Sequence, residues 1–515
     1  MNMTNRIQAR LIAAVGGLLA MTVAGCDNSK LPTVNNNPNA PTSAPATAVF
    51  TNAVESAVGT WLGSGYDLRD ISLLIQHFAE NQYIGNDQYR GVNATSLNGT
   101  FSGSYQNALE DFQIVARAGT AATDPSLKDP AIVMQTWDFG YLTDTWGDIP
   151  YSQALAADSS ASVTLPAYDP QQQIYNSFFS KLSTAATELA ATSKNALGAA
   201  DPIYNGDPKK WAKFANSLLA RDALRIVNAD QATADKELKA AFSEAGGVFT
   251  SNADNAQLNW PGDGVFNNPW AVNFASRDDD RMSKTLIDTL NHYKDPRVAV
   301  YAMPAQATGL YAGQPNGLTN TTAVAYSDTA SRPGAVFYPG AVAYSNSPLG
   351  GSGNSAPSYL MTYAELEFIK AEAAERGLGG LTPAEAAADY YAGITASMQQ
   401  WGITNAATIS AYESQPEVVY QSGLAGLKQI ALQKWIALYS DGGQAWFEWR
   451  RTCTPNLQLA VVHAFSYIPR RVLYPTDEQS ANGANVAIAM SRAGSSYDNS
   501  TPVWWDKTSA APTCQ

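Results

Sequence analysis

Cys26 is the residue with the plainest chemistry. It follows Val23-Ala24-Gly25, at the end of the uncharged run LIAAVGGLLAMTVAG and a basic start at Arg6 and Arg10. That run is too short to cross a bilayer as a stable helix, so residues 1–25 read as a signal peptide. A Cys at its end makes a bacterial lipobox. Cleavage before Cys26 would free a thiol for diacylglycerol and an amine for a third acyl chain. At about 0.8 kcal/mol per buried methylene, three chains hold a protein on a membrane with no spanning helix. Asp27 comes next, an acid that in enteric bacteria favours retention in the inner membrane. Cys453 and Cys514 are the other cysteines. An oxidising compartment permits a disulfide between them, with two free thiols as the alternative.

Catalytic chemistry is harder to find. His77, His292 and His463 stand far apart, and the chain has no HExxH, no GxSxG and no phosphate loop. Carboxylates are plentiful, so a glycoside hydrolase working with two of them stays open. Asp278, Asp279 and Asp280 lack the spacing of a calcium loop and read as a solvated turn that Arg281 neutralises. No catalytic residue, metal or cofactor is assigned.

Ligand recognition is better supplied. Sugar rings stack their C–H faces on Trp and Tyr, and their hydroxyls need Asn, Gln or Asp partners. Residues 81–105, NQYIGNDQYRGVNATSLNGTFSGSY, interleave such groups around Tyr83, Tyr89 and Tyr105. Trp61 and Tyr66 lie at the end of a first helix, and Trp260 and Trp270 flank PGDGVFNN. These seven rings are the candidate ligand-binding residues. Core packing competes for each of them, because large aromatics are usually well buried.

The elements that must position these groups are mostly helical. Phe50, Val54, Ala57 and Trp61 recur at helical spacing over 48–61, and a second helix is predicted near 70–79. Helical periodicity returns at 105–118, at 131–142, in the stripe Ile174, Phe178, Leu182, Ala185, Leu189, and in Trp211, Phe214, Ala215, Leu218. Further helices are predicted over 363–376, closed by Gly377, over 383–401, and near 424–439. Residues 246–358 are rich in Gly, Asn, Pro and Ser and read as a loop-rich insertion with short strands around VAVYAM and AVFYPGAVAY. The tail after Thr452 reads as mostly coil. Residues 26–47, polar and rich in Asn and Pro, read as a flexible tether, leaving 48–515 as one helical body. With 45 acidic against 32 basic residues, nucleic acid is not an expected partner. With 45% hydrophobic and 15% charged residues, the body should bury a large core.

Several separated segments together resemble the SusD/RagB nutrient-binding outer-membrane lipoproteins, in their SusD-like branch. They are NNNPNAPT in the tether, YLTDTWGDIPYSQAL at 141–155, DPIYNGDPKKWAKFANSLLARDALRI at 201–226, LMTYAELEFIKAEAAERG at 360–377, QKWIALYSDGGQAWFEWRRT at 433–452, and PRRVLYPTDEQSAN with WWD at 504–506. The matching charges, among them Glu365, Glu372 and Glu448 with Arg450 and Arg451, read as ties between helices rather than as a site.

The resemblance implies an all-α fold of tetratricopeptide-like helix pairs with a loop-rich ligand face, although the tetratricopeptide signature itself is not visible. It implies a lid on the outer leaflet of the outer membrane, capping a SusC-like TonB-dependent transporter. The cargo it implies is a glycan or an oligopeptide. A structural surface protein with no small ligand is the remaining alternative.

Overall fold

The computed structural model describes residues 44–156, 163–338, 353–494 and 496–507. The signal peptide, Cys26, the tether as far as residue 43, and Cys514 lie outside the described residues. Ala46–Gln515 forms one compact unit.

Helix α1, Ala46–Trp61, buries Phe50, Val54, Ala57 and Trp61, the stripe read from the sequence. The predicted second helix is cut short. A π-helical segment, Ser64–Ile71, and a turn at Ser72–Leu74 lead into Gln76, which takes a left-handed φ of 58°. The chain then becomes strand β1, Phe78–Glu80, with no solvated side. Its partner is strand Asp280–Met282, and burial on both faces is what the helical periodicity could not reveal.

Helices α2, Glu110–Ala121, and α3, Pro125–Trp146, form an antiparallel hairpin. Asp124 caps α3 by accepting the amide of Ser126, and Pro125 occupies the first turn, where its missing N–H costs nothing. A Cβ at Gly119 would stand 2.5 Å from the backbone nitrogen of Lys128, so glycine sets how closely the hairpin closes. Helix α3 is buried on nearly every face and is the central post. It packs on α4, Gln171–Ala191, which pairs with α5, Pro208–Arg225, and α5 with α6, Gln231–Ser243.

Beyond α6 the regular elements are short. Strand Ala256–Leu258 pairs with Ser358–Met361, and brief helices cover Pro269–Phe274 and Lys284–His292. VAVY, expected as extended chain, is a helical turn at Val298–Tyr301, and AVF at Ala335–Phe337 is a 3-10 turn. Helix α7, Tyr363–Glu375, is capped by Thr362 and followed by Gly377 at φ 66°. Helix α8, Ala386–Gln400, starts after Pro383 rather than at it. Gly393 of α8 lies against the ring of Phe368, where a Cβ would approach to 2.7 Å. Helices α9, Leu424–Ala437, and α10, Gly442–Thr452, complete the stacked pairs. The described tail is mostly coil, with two helices at Thr476–Ala481 and Gly483–Ala493.

Buried ion pairs tie the helices. Arg221 of α5 holds Glu365 of α7 through two bonds of 2.8 and 2.5 Å. Arg225 reaches Glu448 of α10 at 2.5 Å, and Arg451 spans Glu372 of α7 at 2.6 and 2.5 Å. Burial alone would raise the Glu372 carboxyl, but Arg451 and Arg376 outweigh it and bring it down to about 2. The charges read in the sequence as helix ties are helix ties.

Candidate functional site

Strand β1 sets Glu80 directly opposite Asp280 in the antiparallel pair. The next residue extends the pairing, with the Asn81 amide donating to the Asp279 carbonyl at 2.9 Å. Two residues on, Tyr83 takes a left-handed φ of 55°, a costly conformation for a bulky side chain that clusters at binding sites. Its ring is 68% exposed. The Arg277 guanidinium stands 4.8 Å from the ring centre and is anchored on its other side by Asp279, Nε donating at 3.1 Å. Asn81 donates to the Ser327 hydroxyl at 3.1 Å, while its carbonyl oxygen has no protein partner.

Beneath this face lies a group of buried carboxyls. Neither oxygen of Glu80 is hydrogen-bonded, and the nearest cation, Arg69, is 4.0 Å away. Asp280 keeps one bond, from Asn273, and leaves Oδ1 unpartnered, as does Asp70. Asp87 is better held, accepting from Asn316 and from the Gly317 amide, both at 2.7 Å. Burial, with the neighbouring charges of Asp87 and Asp280, pushes Glu80 up to about 10. Burial also pushes Asp70, Asp87 and Asp280 to about 7. Glu80 is therefore neutral at physiological pH. Among the described residues no three His, Cys, Asp or Glu side chains are placed to hold a metal ion.

The acidic run 278–280 is not a solvated turn. Asp279 and Asp280 are buried, and Asp278 meets Arg332 at 2.6 and 2.7 Å. The cause is the strand: pairing with β1 pulls Asp280 inside, and Asp279 follows to hold Arg277.

The seven candidate rings separate sharply. Trp61 stacks on Tyr141 at 5.2 Å and donates to Asp138 at 2.7 Å; Tyr66 shares a 2.7 Å bond with Thr145. The Tyr89 hydroxyl accepts from the Ala460 amide. Trp260 donates to Ser358, and Trp270 packs between Phe78 and Phe337. These five rings are buried, so none offers a face to a ligand, and the polar tip of each except Trp270 is bonded internally. Tyr83 is exposed. Tyr105 is half-buried, donates to the Pro150 carbonyl at 2.6 Å, and lines a cavity of about 540 Å3 that shares no residue with the Tyr83 face. Arg277, Asp279, Asn81 and Glu80 were missed. The alternation of charge in RDDDR is their one visible signal, because pairing across 200 residues of chain leaves no local trace.

Stacked helix pairs joined through a loop-rich region, which carries an exposed aromatic beside an arginine, make this a helical-repeat fold. The chain matches, over residues 38–475, the family model SusD-like_2, described as starch-binding associating with outer membrane. It belongs to the SusD-like family, and its fold is that family's tetratricopeptide-like helical fold. Similar solved structures include a chitin-binding protein at 28% identity and TM-score 0.75, covering 90% of this chain and 100% of the other. A chitin-binding SusD homolog from Flavobacterium johnsoniae is similar at 26% identity and TM-score 0.75, covering 90% and 98%. A SusD homolog from Bacteroides uniformis shares the fold at 24% identity and TM-score 0.74, covering 90% and 99%. No curated protein matches the chain. No described helix is long and apolar enough to cross a membrane.

Proposed function

We propose that this protein captures a glycan on the Tyr83–Arg277 face and delivers it to a SusC-like TonB-dependent transporter, as a hinged lid tethered to the outer membrane through lipidated Cys26. The observation that carries the binding step is the Tyr83 ring, held in a strained backbone and left open where five comparable rings are buried. A sugar's C–H face would lie on Tyr83, with Arg277 donating to its hydroxyls. Because two similar structures, at 28% and 26% identity, are described as chitin-binding, N-acetylglucosamine oligomers are the first ligands to try.

Binding without turnover is the role we assign. Glu80 has the raised carboxyl that a glycosidase acid needs, but its side chain is fully buried and cannot reach a scissile oxygen. Calorimetry of the body lacking residues 1–26 against chitin oligomers, starch oligomers and a peptide panel tests the reading. Binding of an oligosaccharide that is lost in Tyr83→Ala supports it. Silence toward both glycan classes, hydrolysis of the bound sugar, or binding of peptide alone overturns it. The tether is tested separately: Cys26→Ser should move the protein from the membrane fraction to the soluble one.

A further inference from the structure

The chain that carries Tyr83 also holds an aliphatic side chain in place. A short helix, Asn320–Ala323, runs into a 3-10 turn, Val324–Tyr326, which presents Val324 with 55% of its surface exposed. A capping box between Thr319 and Thr322 fixes the start of this piece. Ser327 fixes its end. The Ser327 hydroxyl donates to the Val324 carbonyl at 2.8 Å and accepts from the Asn81 side chain at 3.1 Å, and the Ser327 carbonyl accepts two bonds from Arg281. Asn81 comes two residues before Tyr83, and Arg281 four residues after Arg277. Val324 is thus two hydrogen bonds from the chain that carries Tyr83. A lone exposed valine signifies nothing. This one is pinned at both ends of its turn and tied to both segments of the candidate site.

Arg277 supplies a polar group. Its Nε and Nη2 both donate to Asp279, and among the described residues nothing bonds Nη1, on a side chain that is 29% exposed. The face therefore combines an open aromatic ring, one open donor edge and an exposed aliphatic side chain. A plain hexose uses the ring and the donor but has no apolar group for Val324. A 2-acetamido sugar uses all three, because its C2 substituent adds a carbonyl acceptor and a methyl group.

We infer that the Tyr83 face selects 2-acetamido sugars: the pyranose lies on Tyr83, the acetamido carbonyl accepts from Arg277 Nη1, and the acetamido methyl packs on Val324. This selectivity rests on the glycan reading and adds Val324 as the residue that sets the sugar class.

Chitotriose and cellotriose test it, because both are β-1,4-linked trisaccharides that differ only at C2. Calorimetry with the body lacking residues 1–26 should find chitotriose bound roughly tenfold more tightly than cellotriose. Val324→Thr keeps the shape but puts a hydroxyl in place of a methyl, and should cut that preference to roughly threefold by weakening chitotriose alone. Val324→Leu, which stays apolar, should retain the preference. Saturation-transfer NMR should find the acetamido methyl among the most strongly enhanced protons of bound chitotriose, and weaker in Val324→Thr. Equal binding of the two sugars, or a preference unchanged in Val324→Thr, overturns the assignment. Sugars that bind, lose affinity in Tyr83→Ala and yet are indifferent to C2 refute the selectivity and leave the glycan reading standing. Silence toward both trisaccharides and maltotriose, or binding unaffected by Tyr83→Ala, sinks the glycan reading and the selectivity with it.

Discussion

The Arg277 guanidinium lies 4.8 Å from the centre of the exposed Tyr83 ring, and Asp279 holds its far side. An exposed cation over a ring contributes about 0.5–1 kcal/mol, so the arrangement stabilises the fold little and serves mainly to fix both groups at the surface.

Replacing either partner should therefore separate binding from stability. Tyr83→Ala removes the stacking face and should weaken oligosaccharide binding by roughly ten- to a hundredfold, at about 1.4 kcal/mol per factor of ten. Its unfolding free energy should stay within about 0.5 kcal/mol of the parent, as for surface substitutions generally. Arg277→Lys keeps the charge but loses the planar fork that Asp279 holds, and should give an intermediate loss. Calorimetric titration beside urea denaturation reads both quantities. A Tyr83→Ala protein that binds normally would remove the ring from the site.

The carboxyls beneath that face set a pH dependence. Asp70, Asp87 and Asp280 are raised from 3.8 to about 7, and Glu80 from 4.5 to about 10, chiefly by burial. A carboxyl raised in the folded state binds its proton more tightly there than in the unfolded chain. Its stabilisation is complete below the unfolded pKa and is lost as pH rises through the folded one. Stability should fall from about pH 4 to about 7 on account of the three aspartates, and on toward about 10 for Glu80. Glu372 acts in the opposite sense: lowered from 4.5 to about 2, it withdraws stability as pH drops through that window. Glu80→Gln keeps a neutral side chain of the same shape. Its denaturation midpoint should match the parent at pH 5 and exceed it at pH 9, where unfolding lets the parent's glutamate ionise while the folded state still holds its proton. Parallel curves for the two proteins across that range would show that Glu80 does not titrate as described.

How much of this was legible in the chain varied with the range of the forces involved. The helix stripes of α1, α4 and α5 were readable because a helix writes its buried face into neighbouring residues. Helix α3, buried all round, gave only a fragment at 131–142, since periodicity vanishes when there is no wet face. Strand β1 was hidden for the same reason. Of the candidate rings, the sequence could point to loops with aromatics but not to which ring faces outward. Tyr83 and Tyr89 sit in one loop with left-handed φ values of 55° and 66°, yet only Tyr83 is exposed, because Tyr89 packs down against the distant Ala460.

The Arg221–Glu365 pair should behave as buried pairs do. Both side chains are almost wholly buried, and each compensates the desolvation of the other. Arg221→Met strands the Glu365 carboxylate and should cost about 3–5 kcal/mol in urea denaturation. The double change Arg221→Met with Glu365→Leu should recover most of that loss, since two apolar groups need no partner. A double variant as unstable as the single would show that the rest of the lattice depends on this pair.

Two glycines in the first hairpin should respond in opposite directions to the same methyl group. At Gly119 an added Cβ meets the backbone of Lys128 at 2.5 Å and its Cα at 2.7 Å. Backbone cannot swing aside as a flexible side chain does, so the hairpin must open by several tenths of an ångström. Gly119→Ala should lower the unfolding free energy by about 1–3 kcal/mol, the usual cost of overpacking. Gly140, inside helix α3, has nothing within 4 Å of its would-be Cβ. There alanine brings only its better helix propensity and a less flexible unfolded chain, and Gly140→Ala should raise stability by about 0.5–1 kcal/mol. Thermal and urea unfolding of the two variants, run side by side, test the close approach of α2 to α3. If Gly119→Ala is as stable as the parent, the hairpin is looser than described.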